Sequence, residues 1–334
     1  MNKNVMVLSV VLSALLLQTG CVSSARAIPG ATIPRAEFRI RDPFVLADEG
    51  VYYLYESKPW DGGRGVFVRR STDLEHWTDK QQVMHVADNL PVRKVWAPEV
   101  HKYKGSYYLF VTLTLEQGAY PVAALVPDRE KFVEPRGTWV YKAASPMGPF
   151  TPVKKGPVPP QDWMTLDGTL YEEDGQPYMV FCHEWCQVRN GGMCALPLTD
   201  DLSAAAGSPI YLFSASDAPW APKKEIGADG SFPMYVTDGP FMYRGKDNRL
   251  FMLWSSFGPG DYTVGLAESK NGKIDGEWFQ HEKPVYENGG HCMLFKDFDG
   301  NLRMSLHGPN RGPLERAHFL RLVETDEGLL RVAP

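Results

Sequence analysis

An all-β fold, a five-bladed β-propeller, is what the sequence predicts, on three observations. A unit of short apolar strand, tight turn and answering apolar strand returns five times: DPFVLADEGVYYLYES from Asp42, PEVHKYKGSYYLFVT from Pro98, DGTLYEEDGQPYMVFCHEW from Asp167, DGPFMYRGKDNRLFMLWSS from Asp238 and GGHCMLFKDFDGNLRMSLHGPN from Gly289. The spacing is irregular but lies near the period of a propeller blade. The strands are rich in Tyr, Phe, Val and Leu, which suit pleated, half-buried surfaces, and Gly and Pro fall between them as many turns require. A propeller gathers the first strand of each blade around one axis. Asp42, Asp167, Asp238 and His291 are therefore expected to line one end of the central channel, with Glu99 at the opening of the second blade.

At the amino terminus one lysine precedes an almost continuous apolar run, Val5 to Leu17, followed by Gln18-Thr19-Gly20-Cys21. The run is too short and wrongly flanked for a spanning helix. Its ending resembles a bacterial lipobox, so residues 1–20 read as a lipoprotein signal peptide and Cys21 as the lipidated first residue. Gln18 departs from the motif, whose leucine sits here one place early at Leu17. The alternative is cleavage after Ala25-Arg26-Ala27, which would give a secreted protein. The expected location is the bacterial cell envelope, with contact to a membrane only through the lipid. Residues 21–34 read as a tether and 35–334 as one domain.

Within that domain, Glu49-Gly50, Lys104-Gly105, Asp174-Gly175 and Asp299-Gly300 stand where first strands turn back, and Gly tolerates the positive φ such turns need. Third and fourth strands are expected from GVFVRRSTDLEHWT, YPVAALVPDREKF, MCALPLTDDLS and YTVGLAES. Trp77 and Trp278 close outer strands and read as core. Export would permit disulfides, and Cys186 and Cys194 flank a turn across which they could pair. Cys182 and Cys292 lie in apolar strands as small buried hydrophobes. A zinc site from Cys182, His183, Cys186 and Cys194 is the lesser reading, since no paired C-x-x-C knuckle is present. The net charge of -5 comes without a basic stripe. That excludes nucleic acid as a partner, because phosphate binding needs clustered Lys and Arg.

Arg41-Asp42-Pro43, Ser71-Thr72-Asp73-Leu74 with Trp77, Trp96-Ala97-Pro98-Glu99, Asp167-Gly168, Asp238-Gly239-Pro240 and Gly290-His291 resemble, in order and spacing, glycoside hydrolase family 43. The resemblance covers about Arg39 to Asn310. It implies a five-bladed propeller that hydrolyses glycosides with inversion, as arabinofuranosidases, arabinanases, xylosidases and some galactosidases do. FCHEW, TDGPF, WSSF and LHGPN look like an arabinofuranosidase branch, which implies an exo-acting α-L-arabinofuranosidase on plant polysaccharide side chains. A β-xylosidase, an exo-galactosidase or a noncatalytic sugar-binding lipoprotein are the alternatives. The implied partner is an oligo- or polysaccharide, met by a monomer. No cofactor is required, with a structural calcium near the axis as the one candidate.

Inversion needs one ionised carboxylate to deprotonate water and one protonated carboxyl to assist the leaving oxygen, about 6.5–9.5 Å apart. By the resemblance Asp42 is the base, against the plainer reading of an Asx turn before Pro43. Asp167 raises the pKa of the acid by like-charge repulsion, against that of a turn aspartate before Gly168. The acid has two candidates. Asp238 stands where the family usually has glutamate, one methylene short. Glu184 ends the strand that pairs with the one Asp167 opens, so antiparallel pairing brings it to the same mouth; its reach tips the sequence reading slightly towards it. Its plainer role is a rim salt bridge. Trp96 and Trp185 could stack on a sugar face or simply be buried. Glu99 could bind a hydroxyl or satisfy buried groups. Arg41 could anchor hydroxyls or hold Asp42 ionised. His291 could touch a cation or water near the axis, or be structural.

Overall fold

The computed structural model describes residues 27–57, 64–222, 224–226, 232–258 and 261–334. The segment 1–20, expected to be a signal peptide, and Cys21 lie outside them. Five antiparallel sheets follow one another along the chain as blades. Blade 1 runs Phe44–Asp48, Val51–Ser57, Gly65–Ser71, Gln81–His85. Blade 2 runs Val92–Tyr103, Ser106–Leu115, Arg136–Ala143, Thr151–Pro152. Blade 3 runs Thr165–Glu173, Gln176–His183, Gly192–Pro197, Ile210–Ser214. Blade 4 runs Asp238–Arg244, Leu250–Phe257, Tyr262–Ser269, Trp278–Gln280, with Tyr286–Glu287 added to its third strand. Blade 5 runs Gly290–Lys296, Leu302–Gly308, Arg316–Glu324, Leu330–Val332.

The hairpin turns form as their sequences dictate. Asp48 pairs Val51, Tyr103 pairs Ser106 and Glu173 pairs Gln176 across two-residue loops. Both central residues of each loop have positive φ, from 45° at Lys104 to 84° at Gly175, which matches the strand twist. Trp77 and Trp278 are core, as expected. One strand expectation fails. YPVAALVPDREKF is a loop with a single 3-10 turn, Glu130–Phe132, and the third strand of blade 2 is Arg136–Ala143. Pro121 and Pro127 deny that segment two ladder donors.

Each blade uses a contiguous stretch of chain, and among the described residues no strand is exchanged between the ends to lock the ring. The lead-in to blade 1 closes it instead against blade 5. Arg35 Nη1 donates to the Ala317 carbonyl (2.7 Å), Arg316 Nε to that of Ala36 (2.8 Å) and Ser305 Oγ to that of Pro43 (2.7 Å). Ile33–Pro34, assigned to the tether from sequence, already pairs with His76–Trp77.

The four described cysteines are free and buried. The expected Cys186–Cys194 pairing is therefore corrected: Cys194 packs with Phe181 and Leu196, whereas Cys186 packs with Met164 and Val133 in a separate cluster. The zinc reading fails on the same ground. His183 bonds Gln187 at 2.8 Å and stacks on Trp163, Cys182 faces Met193, and Cys186 faces Glu184.

Candidate active site

The inner strands of blades 2 to 5 begin with the same irregularity. Register slips between Trp96 and Glu99, Leu166 and Thr169, Asp238 and Phe241, and Gly290 and Met293. The residue after each slip begins has positive φ, Ala97 45°, Asp167 56°, Gly239 48° and His291 51°, and Asp42, just ahead of the first strand of blade 1, has the same conformation at 50°. Such a β-bulge re-aims a side chain, and here Asp42, Asp167 and His291 line one cavity at the axis. The preceding ring, Arg41, Trp96, Leu166 and Asp238, lines it too.

Asp238 thus belongs to a different ring from Asp42 and Asp167, although all three open their repeats in sequence. Gly239 fills the bulge position of blade 4 because a Cβ there would lie 2.9 Å from His291 Cγ and 3.0 Å from its Cα. The carboxylate of that blade comes from the residue before.

The bulged amides are satisfied by side chains of the preceding blade. Asp167 N donates to Thr112 Oγ1 (2.8 Å), His291 N to Ser255 Oγ (2.8 Å) and Asp42 N to His307 Nδ1 (3.2 Å). Thr112, Ser255 and His307 each pair with the residue before their own blade's bulge. In blade 3 that place is held by Cys182, and the Gly239 amide donates to Asp167 Oδ2 (3.1 Å) instead. The carboxylates are therefore held by backbone geometry, not by rotamer choice alone.

His291 Nδ1 stands 3.3 Å from Asp42 Oδ1 and 3.6 Å from Asp167 Oδ2, so those two oxygens lie within about 7 Å of each other. Desolvation in the pocket opposes charge on Asp42, but His291, His307 and Arg41 outweigh it and hold its carboxyl well below the usual range. Asp167 goes the other way: burial, then the charge of Asp42, push it well above. Asp238 is likewise raised, by burial and then by Asp167, while Tyr262 donates to its Oδ2 (3.0 Å). Asp42 is thus held ionised, whereas Asp167 and Asp238 are both pushed towards the protonated form.

Glu184 also lines the cavity and is buried. Thr165 pairs His183, which returns the strand end to this mouth. Fully buried Gln187 fixes the turn that follows, accepting from the Met164 amide (2.8 Å) and donating to the Ala123 and Asp162 carbonyls (2.7 Å each). Glu184 accepts from Arg136, itself buried, bonded to Glu134 and Thr114, and 4.6 Å beneath the Trp96 ring.

Two predicted contacts lie off the cavity lining. Glu99 sits two residues past its bulged Ala97, at the level of Phe44, Phe241 and Met293, and bonds His101 at 3.0 Å. Trp185 begins the short helix Trp185–Val188 and packs outward on Phe132 (5.5 Å). Residues the sequence reading passed over complete the pocket: Phe257, Tyr262, His307 and Asn310. LHGPN had marked the place of the last two without assigning them a role.

Calcium takes six to eight oxygen ligands. Below His291 the axis offers Met293, Phe44 and Phe241, and the carboxylate of Glu99 is bonded to His101. That donor set does not fit a protein-caged calcium.

Carboxyls with opposed preferences for charge around one cavity are what hydrolysis of a glycosidic bond with inversion requires. The family model of the glycosyl hydrolases family 43 matches residues 31–329, and the chain belongs to that family. It is an enzyme that hydrolyses O-glycosyl bonds with inversion. Among solved structures it is similar to an endo-arabinase from Bacteroides thetaiotaomicron at 36% identity, covering 88% of this chain and 98% of that one with a TM-score of 0.76. An endo-1,4-beta-xylanase from the same organism (20% identity, 91% and 97% covered, TM-score 0.69) and an alpha-L-arabinofuranosidase from Lactobacillus brevis (15%, 88% and 94%, 0.68) share the fold. No curated protein matches.

Proposed function

We propose that the enzyme is an exo-acting α-L-arabinofuranosidase that trims side chains of plant polysaccharides. The observation that carries the exo reading is the cavity, about 220 Å³. This is smaller than the roughly 300–1,000 Å³ of sites for larger ligands and suits one sugar ring. The arabinose reading is supported by the endo-arabinase relative at 36% identity. Asp42 is the base, ionised by His291, His307 and Arg41. Asp238 is the acid, kept protonated by burial and by Asp167. Glu184, bonded to Arg136, accepts sugar hydroxyls, with Trp96 and Arg41 beside it. This reverses the slight preference for Glu184 as acid that side-chain length suggested.

On a linear arabinan the expected product at early times is arabinose alone, read by anion-exchange chromatography. The name of that relative favours a second reading, endo cleavage, which would instead release a ladder of oligosaccharides. A panel of aryl arabinofuranosides, xylosides and galactosides reports the sugar; turnover confined to xyloside or galactoside would replace the arabinose reading.

The lipid anchor is part of the same proposal, carried by Thr19-Gly20-Cys21 behind the apolar run. Cys21→Ser is expected to move the protein from the membrane fraction to the soluble one with kcat/KM unchanged, since stable retention needs more than one acyl chain. Wild-type protein that starts at Ile28 and is soluble would refute it.

A further inference from the structure

Glu315 is fully buried between the lead-in to blade 1 and the last blade. Its two oxygens are divided between two arginines. Oε2 accepts from Arg39 Nε (3.1 Å) and Nη2 (2.9 Å), and Oε1 from Arg41 Nε (3.1 Å) and Nη2 (2.6 Å). Arg41 lines the catalytic cavity, and its charge is among those that keep Asp42 ionised. Its Nη2 also donates to Asn310, another lining residue, which His307 Nε2 meets at 3.3 Å.

We infer that Glu315 is a positioning residue for sugar binding and for the base, acting through Arg41. A guanidinium gripped along its Nε edge has one orientation, and here that orientation faces the pocket beside Asp42. The Arg39 half of the clamp has a different task, tying the chain's entry to blade 5. One carboxylate thus couples ring closure to the shape of the sugar seat. The inference rests on the pocket being the sugar site.

The test is steady-state kinetics on an aryl glycoside that the wild type hydrolyses. Glu315→Gln should raise KM about tenfold, the scale of one charged hydrogen bond, and move the acid limb of kcat/KM to higher pH as Arg41 drifts from Asp42. In an Arg41→Ala background the same change should have no further effect on KM, because residues acting as a unit are non-additive. Arg39→Met should lower Tm while leaving KM and the acid limb in place. If Glu315→Gln does not fold, Glu315→Asp, which keeps the charge but cannot span both arginines, carries the same readouts. An unchanged KM and acid limb, or an effect that persists undiminished without Arg41, would overturn the inference and leave Glu315 a structural clamp. Loss of the arabinose assignment on the substrate panel would not touch it, since the readouts use whichever glycoside is turned over.

Discussion

Asp42→Asn is expected to lower kcat/KM by about 10³-fold on every glycoside the enzyme accepts, the scale of a lost general base and about 4 kcal/mol of barrier. Water must be deprotonated whatever group departs, so an activated aryl leaving group should not restore the rate. KM should stay close to wild type, because the proposed sugar seat of Glu184, Trp96 and Arg41 is unaltered. The pH dependence follows from the two opposed environments. Activity falls with decreasing pH as Asp42 is protonated, and that limb lies on the far acid side because His291, His307 and Arg41 overcome desolvation. Activity falls with increasing pH as Asp238 loses its proton, and that limb lies above the usual carboxylate range because burial and then Asp167 resist its charge. The bell in kcat/KM should therefore be broad, and in Asp42→Asn the acid limb should vanish. A variant that keeps wild-type activity on dinitrophenyl substrates would remove Asp42 from the role of base.

Much of this site could be read from the chain because a propeller turns repeats into convergence. Asp42, Asp167 and His291 open their units, and all three occupy the bulge position that points to the axis. The same logic misleads at Asp238. Asp167-Gly168 and Asp238-Gly239 look alike as dipeptides, yet the left-handed residue is the aspartate in one and the glycine in the other. What surrounds each glycine differs, His291 of the next blade at Gly239 and Thr138 and Met179 at Gly168, and those contacts are invisible locally. Glu99 fails for a reason of period: two residues beyond the bulge, it is one layer down the channel from the pocket. Trp185 fails because the chain leaves its strand at Glu184 and starts a helical turn. Tyr262 and Glu315 were unreadable as site residues, since each reaches the pocket through another side chain or from the third strand and its approach.

The two candidates for the acid separate by leaving group. An acid is needed only when the departing oxygen needs a proton. Asp238→Asn is expected to cut kcat/KM on arabino-oligosaccharides by about 10³-fold, within the range for general acid catalysis, while dinitrophenyl glycosides lose less than about tenfold. Its alkaline limb should disappear, because the group that titrates there has been removed. Glu184→Gln is expected to weaken both substrate classes alike, chiefly through KM, since a carboxylate that accepts sugar hydroxyls serves the same sugar in either case. The physical ground lies in the partners. Burial and the neighbouring Asp167 leave Asp238 a site where a proton is stabilising, and they outweigh His291 and the Tyr262 hydroxyl, which favour its charge. Glu184 instead faces the buried guanidinium of Arg136, which complements a carboxylate and not a carboxylic acid. Arg136→Met should then damage Glu184's contribution to KM without creating any preference for activated leaving groups. A selective loss in Glu184→Gln, with Asp238→Asn indifferent to the leaving group, would exchange the two roles and make the longer side chain the proton donor.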